Sequence, residues 1–134
     1  MKFISSLFVS VLLGLSAQAN DDLAASMEII GEQFNTIARG IQTNEFTDVE
    51  LEAVQVMIEQ IEVSSKIFPD TASSDEDKAQ YTQWMDELMQ LSLTLEEQVS
   101  LTISQGNQDN SDVIATIIEI NELRKQAHAV FKLD

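Results

Sequence analysis

Cysteine is absent from the chain. Disulfides are therefore excluded, and an exported chain of this kind must be held together by its core. Breakers are nearly absent too: there is one proline, Pro69, and there are four glycines. Long stretches without either point to helices. Positive charge is scarce, with 7 Lys and Arg against 23 Asp and Glu, for a formal charge of −16. That excludes nucleic acid as a partner, because its phosphates need Lys and Arg. There is one histidine, and there is no Gly-rich phosphate loop, no H-E-x-x-H pair and no E-x-x-H motif of the di-iron bundles. The many carboxylates fall on the outward faces of the expected helices, so no enzyme activity is expected.

What is present begins with a short positive start at Met1 and Lys2, followed by an apolar run from Phe3 to Leu15. Ser16-Ala17-Gln18-Ala19 then ends in the small-x-small pattern of a signal peptidase site. The run is too short to span a bilayer, so residues 1–19 read as a cleaved secretory signal that leaves no membrane anchor. Residues 20–134 are then the mature chain, of 115 residues, and the loss of Lys2 takes its formal charge to −17.

Apolar periodicity predicts four helices in that chain. The first runs from about Asp22 to Arg39, with a stripe of Leu23, Met27, Ile30, Phe34, Ile37 and Ile41 and Gly40 at the expected C-terminal cap. Its alternating steps of four and three residues form a heptad seam, which packs helices almost parallel or antiparallel. The second starts at Thr47, where Glu50 completes a capping box, carries Leu51, Val54, Ile58, Ile61 and Phe68, and ends at Pro69. The third starts near Ser74, with Asp75, Glu76 and Asp77 at the positive end of its dipole, and stops before Gly106. Tyr81, Trp84, Met85, Leu88, Leu91, Leu95 and Val99 lie along it. The fourth runs from about Ser111 to Lys132 with Val113, Ile117, Ile120, Ala127 and Phe131 on one stripe. Short connections make successive helices antiparallel neighbours, so the expected fold is all-α, one up-down-up-down four-helix bundle.

Two residues stand out by position. Met27 lies on the core stripe of the first helix, about one and a half turns, or roughly 7 Å, from its expected start. His128 lies a similar distance from the end of the fourth helix, with Arg124 one turn deeper on the same face. In this topology both helix ends meet at one end of the bundle, so Met27 and His128 share a level. A thioether and an imidazole on opposite sides of a flat porphyrin give six-coordinate iron with no free site, which transfers electrons and does little else. With no cysteine for a C-x-x-C-H linkage, any haem is held by ligation and packing alone. Each residue also has a plainer role, Met27 as core filler and His128 as a partner of the helix dipole.

Asp22-Leu23-x-x-x-Met27-Glu28 at one end of the mature chain and Arg124-x-x-x-His128 at the other resemble soluble cytochrome b562. The resemblance covers essentially the whole mature chain. It implies a periplasmic b-type cytochrome, with one non-covalent haem b per chain and Met27 and His128 as axial ligands. Arg124 matches the family's arginine one turn before the histidine. The family packs two phenylalanines of the third helix on the haem; Tyr81 and Met85 stand at the matching positions, with Trp84 where the family has a glycine. The pocket is expected to be lined by Leu23, Ile30, Tyr81, Met85, Leu88 and Phe131.

The expected partners are redox proteins with basic docking patches, drawn to the acidic surface in a salt-sensitive way. A monomer is expected, because the charge opposes close self-association at low salt. The alternative is a haem-free periplasmic helical protein, for binding or stress, in which the same residues close the end of the bundle. Haem storage or sensing would share the site with electron transfer.

Overall fold

The computed structural model describes residues 11–133, with side chains from Asp21 onward. It contains four helices, α1 (Val11–Thr43), α2 (Asp48–Ser65), α3 (Asp75–Ser104) and α4 (Ser111–Phe131), and no strand among the described residues. Consecutive helices pack on one another, α1 on α2, α2 on α3 and α3 on α4, as the expected bundle requires. The backbones of α1 and α4 approach each other less closely than those pairs do.

The helix starts follow their caps. Thr47 accepts from the Val49 N–H, and the Glu50 carboxylate accepts from the Thr47 N–H, completing the capping box. Ser74 Oγ accepts from the Asp77 N–H ahead of an acidic first turn. The Asp109 carboxylate accepts from both the N–H and the hydroxyl of Ser111, which holds its pKa below the usual value and covers the start of α4. At the end of α3, Gly106 turns left-handed (φ +70°) and the Asn107 N–H donates back to Thr102 O.

Three helix assignments differ from expectation. α1 extends further in both directions. Met27 is therefore interior to a 33-residue helix and not near its start, although it still lies at the Leu23 end of the bundle. Of the expected signal segment, residues 1–10 lie outside the described residues, and the expected cleavage point after Ala19 falls within α1. At its other end α1 continues past Gly40 to Thr43, and Asn44 (φ 55°) takes the left-handed position, with the Glu45 N–H donating to Gly40 O. Gly40 is instead buried against the Phe46 ring. Finally, α2 stops at Ser65, before Pro69, and its buried face is Ala53, Val54, Met57, Ile61 and Ser64. Leu51 and Ile58 are only half-buried and Phe68 is 43% exposed.

The core runs the length of the bundle. Leu23, Met27, Ile30, Phe34 and Ile37 of α1 face Tyr81, Met85, Leu88, Leu95 and Val99 of α3, with α2 and α4 closing the sides. One polar chain crosses it. Tyr81 OH donates to Ser64 O (2.8 Å), Ser64 Oγ donates to Ser26 Oγ (2.8 Å), and Ser26 Oγ lies 3.0 Å from Gln60 O. This ties α1, α2 and α3 together at the end that carries Met27. The Tyr81 ring is held edge-on between Phe68 (5.9 Å) and Phe131 (5.6 Å).

Burial raises the Tyr81 phenol far above its ordinary pKa. A raised native pKa means that the native state holds the proton more tightly than the unfolded chain does. Its stabilisation is complete below about pH 10 and is lost as pH rises toward the native value. Tyr81→Phe is expected to cost about 1 kcal/mol near neutrality, the net worth of the hydrogen bond. The gap in urea midpoint between wild type and variant is expected to narrow above about pH 10. A gap that stays constant through that range would show that the phenol proton is not linked to folding.

Candidate functional site

The looser approach of α1 and α4 leaves a cleft at the Leu23 end of the bundle. Met27 enters it from α1 and is 8% exposed. His128 enters from the last turn of α4 and is half-buried. The matched level expected from sequence is therefore realised, with both side chains lining one opening. That opening, of about 440 Å3, is completed by Ala24, Glu28 and Arg124.

Behind it lies a smaller recess of about 10 Å3. Met27 and Ile30 of α1, Trp84, Met85 and Leu88 of α3, and Leu123, Arg124, Ala127 and His128 of α4 line it. Leu133 closes its end. Lys132 takes the left-handed conformation (φ 53°, ψ 58°) and its N–H donates to His128 O (2.9 Å), which turns the tail back so that Leu133 is buried. Thr71 Oγ, from the connection between α2 and α3, donates to Phe131 O (2.6 Å) and covers a carbonyl that the helix end leaves open.

Arg124 is positioned from α1. Its guanidinium lies 4.9 Å from the centroid of the Phe34 ring, an attractive cation–π arrangement. It also lies close to the α1 backbone at Gly31, where a Cβ would stand 3.2 Å from Nη2. Burial lowers its pKa, yet a guanidinium stays protonated in proteins, so the cleft holds a fixed positive charge. Along the outer face of α4, Arg124, His128, Lys125 and Lys132 line a further groove with Asn121 and Ala129. In a chain of charge −16, this cleft is flanked by cations.

Of the expected site residues, Met27, His128, Arg124 and Met85 come together, as do the expected wall residues Ile30 and Leu88. Tyr81 does not. It lies one turn nearer the end of the bundle than Met85, and its hydroxyl is taken by Ser64 O. Leu23 and Phe131 face a separate recess beside Pro69 and Thr71. Trp84 makes the wall expected of Tyr81, half-buried and edge-on to Phe131 at 5.2 Å. Sequence reasoning missed Gly31, Phe34, Leu123, Ala127 and Leu133. Gly31 carried a signal: an interior helical glycine costs about 1 kcal/mol relative to alanine and so usually marks a close approach.

No family model, curated protein or solved structure matches the chain. The likeness to soluble cytochrome b562 thus rests on the Asp22–Glu28 and Arg124–His128 segments and the four-helix architecture alone. Among the described residues, no group of three His, Asp or Glu side chains gathers as a metal site, and no helix is long and apolar enough to cross a membrane.

Proposed function

We propose that the chain is a b-type cytochrome, a one-electron carrier that holds one non-covalent haem b between Met27 and His128. The observation that carries this reading is their placement, a thioether from α1 and an imidazole from α4 lining one cleft between two helices whose backbones approach less closely than consecutive helices do. The donor set fits low-spin haem iron, and the absence of cysteine leaves ligation and packing as the means of holding it. When bound, haem supplies the one-electron chemistry, and Met/His ligation raises its potential.

The chain's own residues do the rest. Ile30, Met85, Leu88 and Leu123 keep water from the inner side of the cleft, and Trp84 walls its edge. Arg124, braced on Phe34, sets a positive charge at the opening. The inner recess, at about 10 Å3, is far too small for a porphyrin, so binding requires α1 and α4 to part at this end. The same narrowness favours the second reading, a haem-free helical binding or stress protein whose bundle end is simply closed. Export to the periplasm through residues 1–19 belongs to both readings, and docking to redox partners through their basic patches to the cytochrome reading.

The test is titration of residues 20–134 with ferric haem, followed by absorption spectra before and after reduction. Uptake of one equivalent with sharp low-spin bands in the reduced form is expected. A folded bundle that takes up no stoichiometric haem would establish the haem-free alternative.

A further inference from the structure

The inner recess has a donor set of its own. Met27 from α1, Met85 from α3 and His128 from α4 all line it, and so does Trp84. Its volume, about 10 Å3, is the room of one water-sized occupant. The donors are two thioethers and one imidazole, with no carboxylate or thiolate among them. Thioether sulfur is a soft ligand that selects Cu(I) over Mg(II), Ca(II) or Mn(II), which take oxygen ligands. We propose that this recess is a site for a single soft monovalent ion, Cu(I), held by Met27, Met85 and His128.

Two neighbours sharpen the selection. Arg124 lines the same recess and carries a fixed positive charge, which opposes a divalent ion twice as strongly as a monovalent one. Trp84 also lines the recess, and an indole ring attracts a cation and sheds water. The other described methionines stand apart from this recess, Met57 fully buried in the core and Met89 half-buried on α3. The site does not require haem binding. It shares Met27 and His128 with that reading, so the two occupants exclude each other, but it adds Met85, which the haem reading does not use as a ligand.

The experiment is an anaerobic titration of residues 20–134 with Ag(I), a redox-inert stand-in, and with Cu(I) against a chromophoric chelator. Trp84 fluorescence is the readout, because it is the only tryptophan. Saturable quenching at one equivalent is expected for both ions, with none for Zn(II) or Ca(II). Met85→Leu preserves volume and apolarity, so the fold is expected to survive, as circular dichroism will show. It is expected to weaken Ag(I) and Cu(I) uptake by at least an order of magnitude. Uptake by Met85→Leu equal to wild type, binding without a change in Trp84 emission, or equal affinity for Zn(II) would overturn the site. Absence of haem uptake alone would overturn only the cytochrome reading.

Discussion

Phe46→Ala is expected to destabilise the bundle by about 3–5 kcal/mol, the usual cost of removing a buried aromatic ring. Phe46 is 1% exposed and sits at the end of the bundle opposite the cleft. Its backbone is clamped from the far connection: its N–H donates to Asn107 Oδ1 (2.6 Å), and Asn107 Nδ2 donates to its carbonyl (3.0 Å). The ring lies on Gly40, where an added Cβ would come within 2.6 Å of Phe46 Cδ1. Gly40→Ala therefore sets two effects against each other. Helix propensity favours alanine by about 1 kcal/mol, whereas overpacking a fixed ring costs about 1–3 kcal/mol. Because the ring is pinned at its backbone, the steric cost is expected to win and Gly40→Ala to destabilise. In the Phe46→Ala background the clash has no partner, and Gly40→Ala is expected to stabilise by up to about 1 kcal/mol. Urea unfolding of the four proteins in this cycle measures the coupling. Equal effects of Gly40→Ala in both backgrounds would show that the ring moves aside freely.

His128→Ala is expected to abolish low-spin haem uptake while leaving the bundle folded. The side chain is half-buried at the last turn of α4, so its loss opens little core. Met27→Leu is the companion. Met27 is 8% exposed on the core face of α1, and truncation to alanine would confound ligand loss with a cavity. Leucine keeps the volume at a cost usually below about 1.5 kcal/mol and removes the sulfur. Met27→Leu is therefore expected to retain haem with lower affinity and with a high-spin spectrum, since His128 would hold the iron from one side only. Absorption spectra of both variants against wild type decide the matter. A low-spin reduced spectrum unchanged in both would remove the pair from the iron and leave Met27 and His128 as parts of a closed bundle end.

The residues that sequence reading placed correctly share a physical basis. Leu23, Met27, Ile30, Phe34 and Ile37 form a single apolar stripe with no competitor on α1, and all five are buried. Thr47 with Glu50, Ser74 before three acidic residues, and Gly106 are local signals, because a cap bonds within its own few residues. α2 was harder for a physical reason. Its apolar residues form overlapping stripes, one through Leu51 and Ile58 and one through Met57 and Ser64, and periodicity alone does not choose between them. The choice is made by hydrogen bonds from other helices, from Tyr81 to Ser64 O and between Ser64 and Ser26, which turn that face inward. Gly40 reads as a cap until the Phe46 ring is seen to need its space.

The same division holds for the cleft. The order of the helices and their short connections already bring Met27 and His128 to one end of the bundle, because up-down topology dictates which helix ends meet. Which aromatic walls the cleft, Trp84 and not Tyr81, depends on an acceptor 17 residues away that draws the Tyr81 hydroxyl aside. The seating of Arg124 likewise depends on Gly31 and Phe34 of α1, three helices earlier in the chain. Helix existence, ends and order are thus written locally, in periodicity and caps. The rotation of each helix about its axis, and with it the membership of the site, is set by packing between residues far apart in the chain.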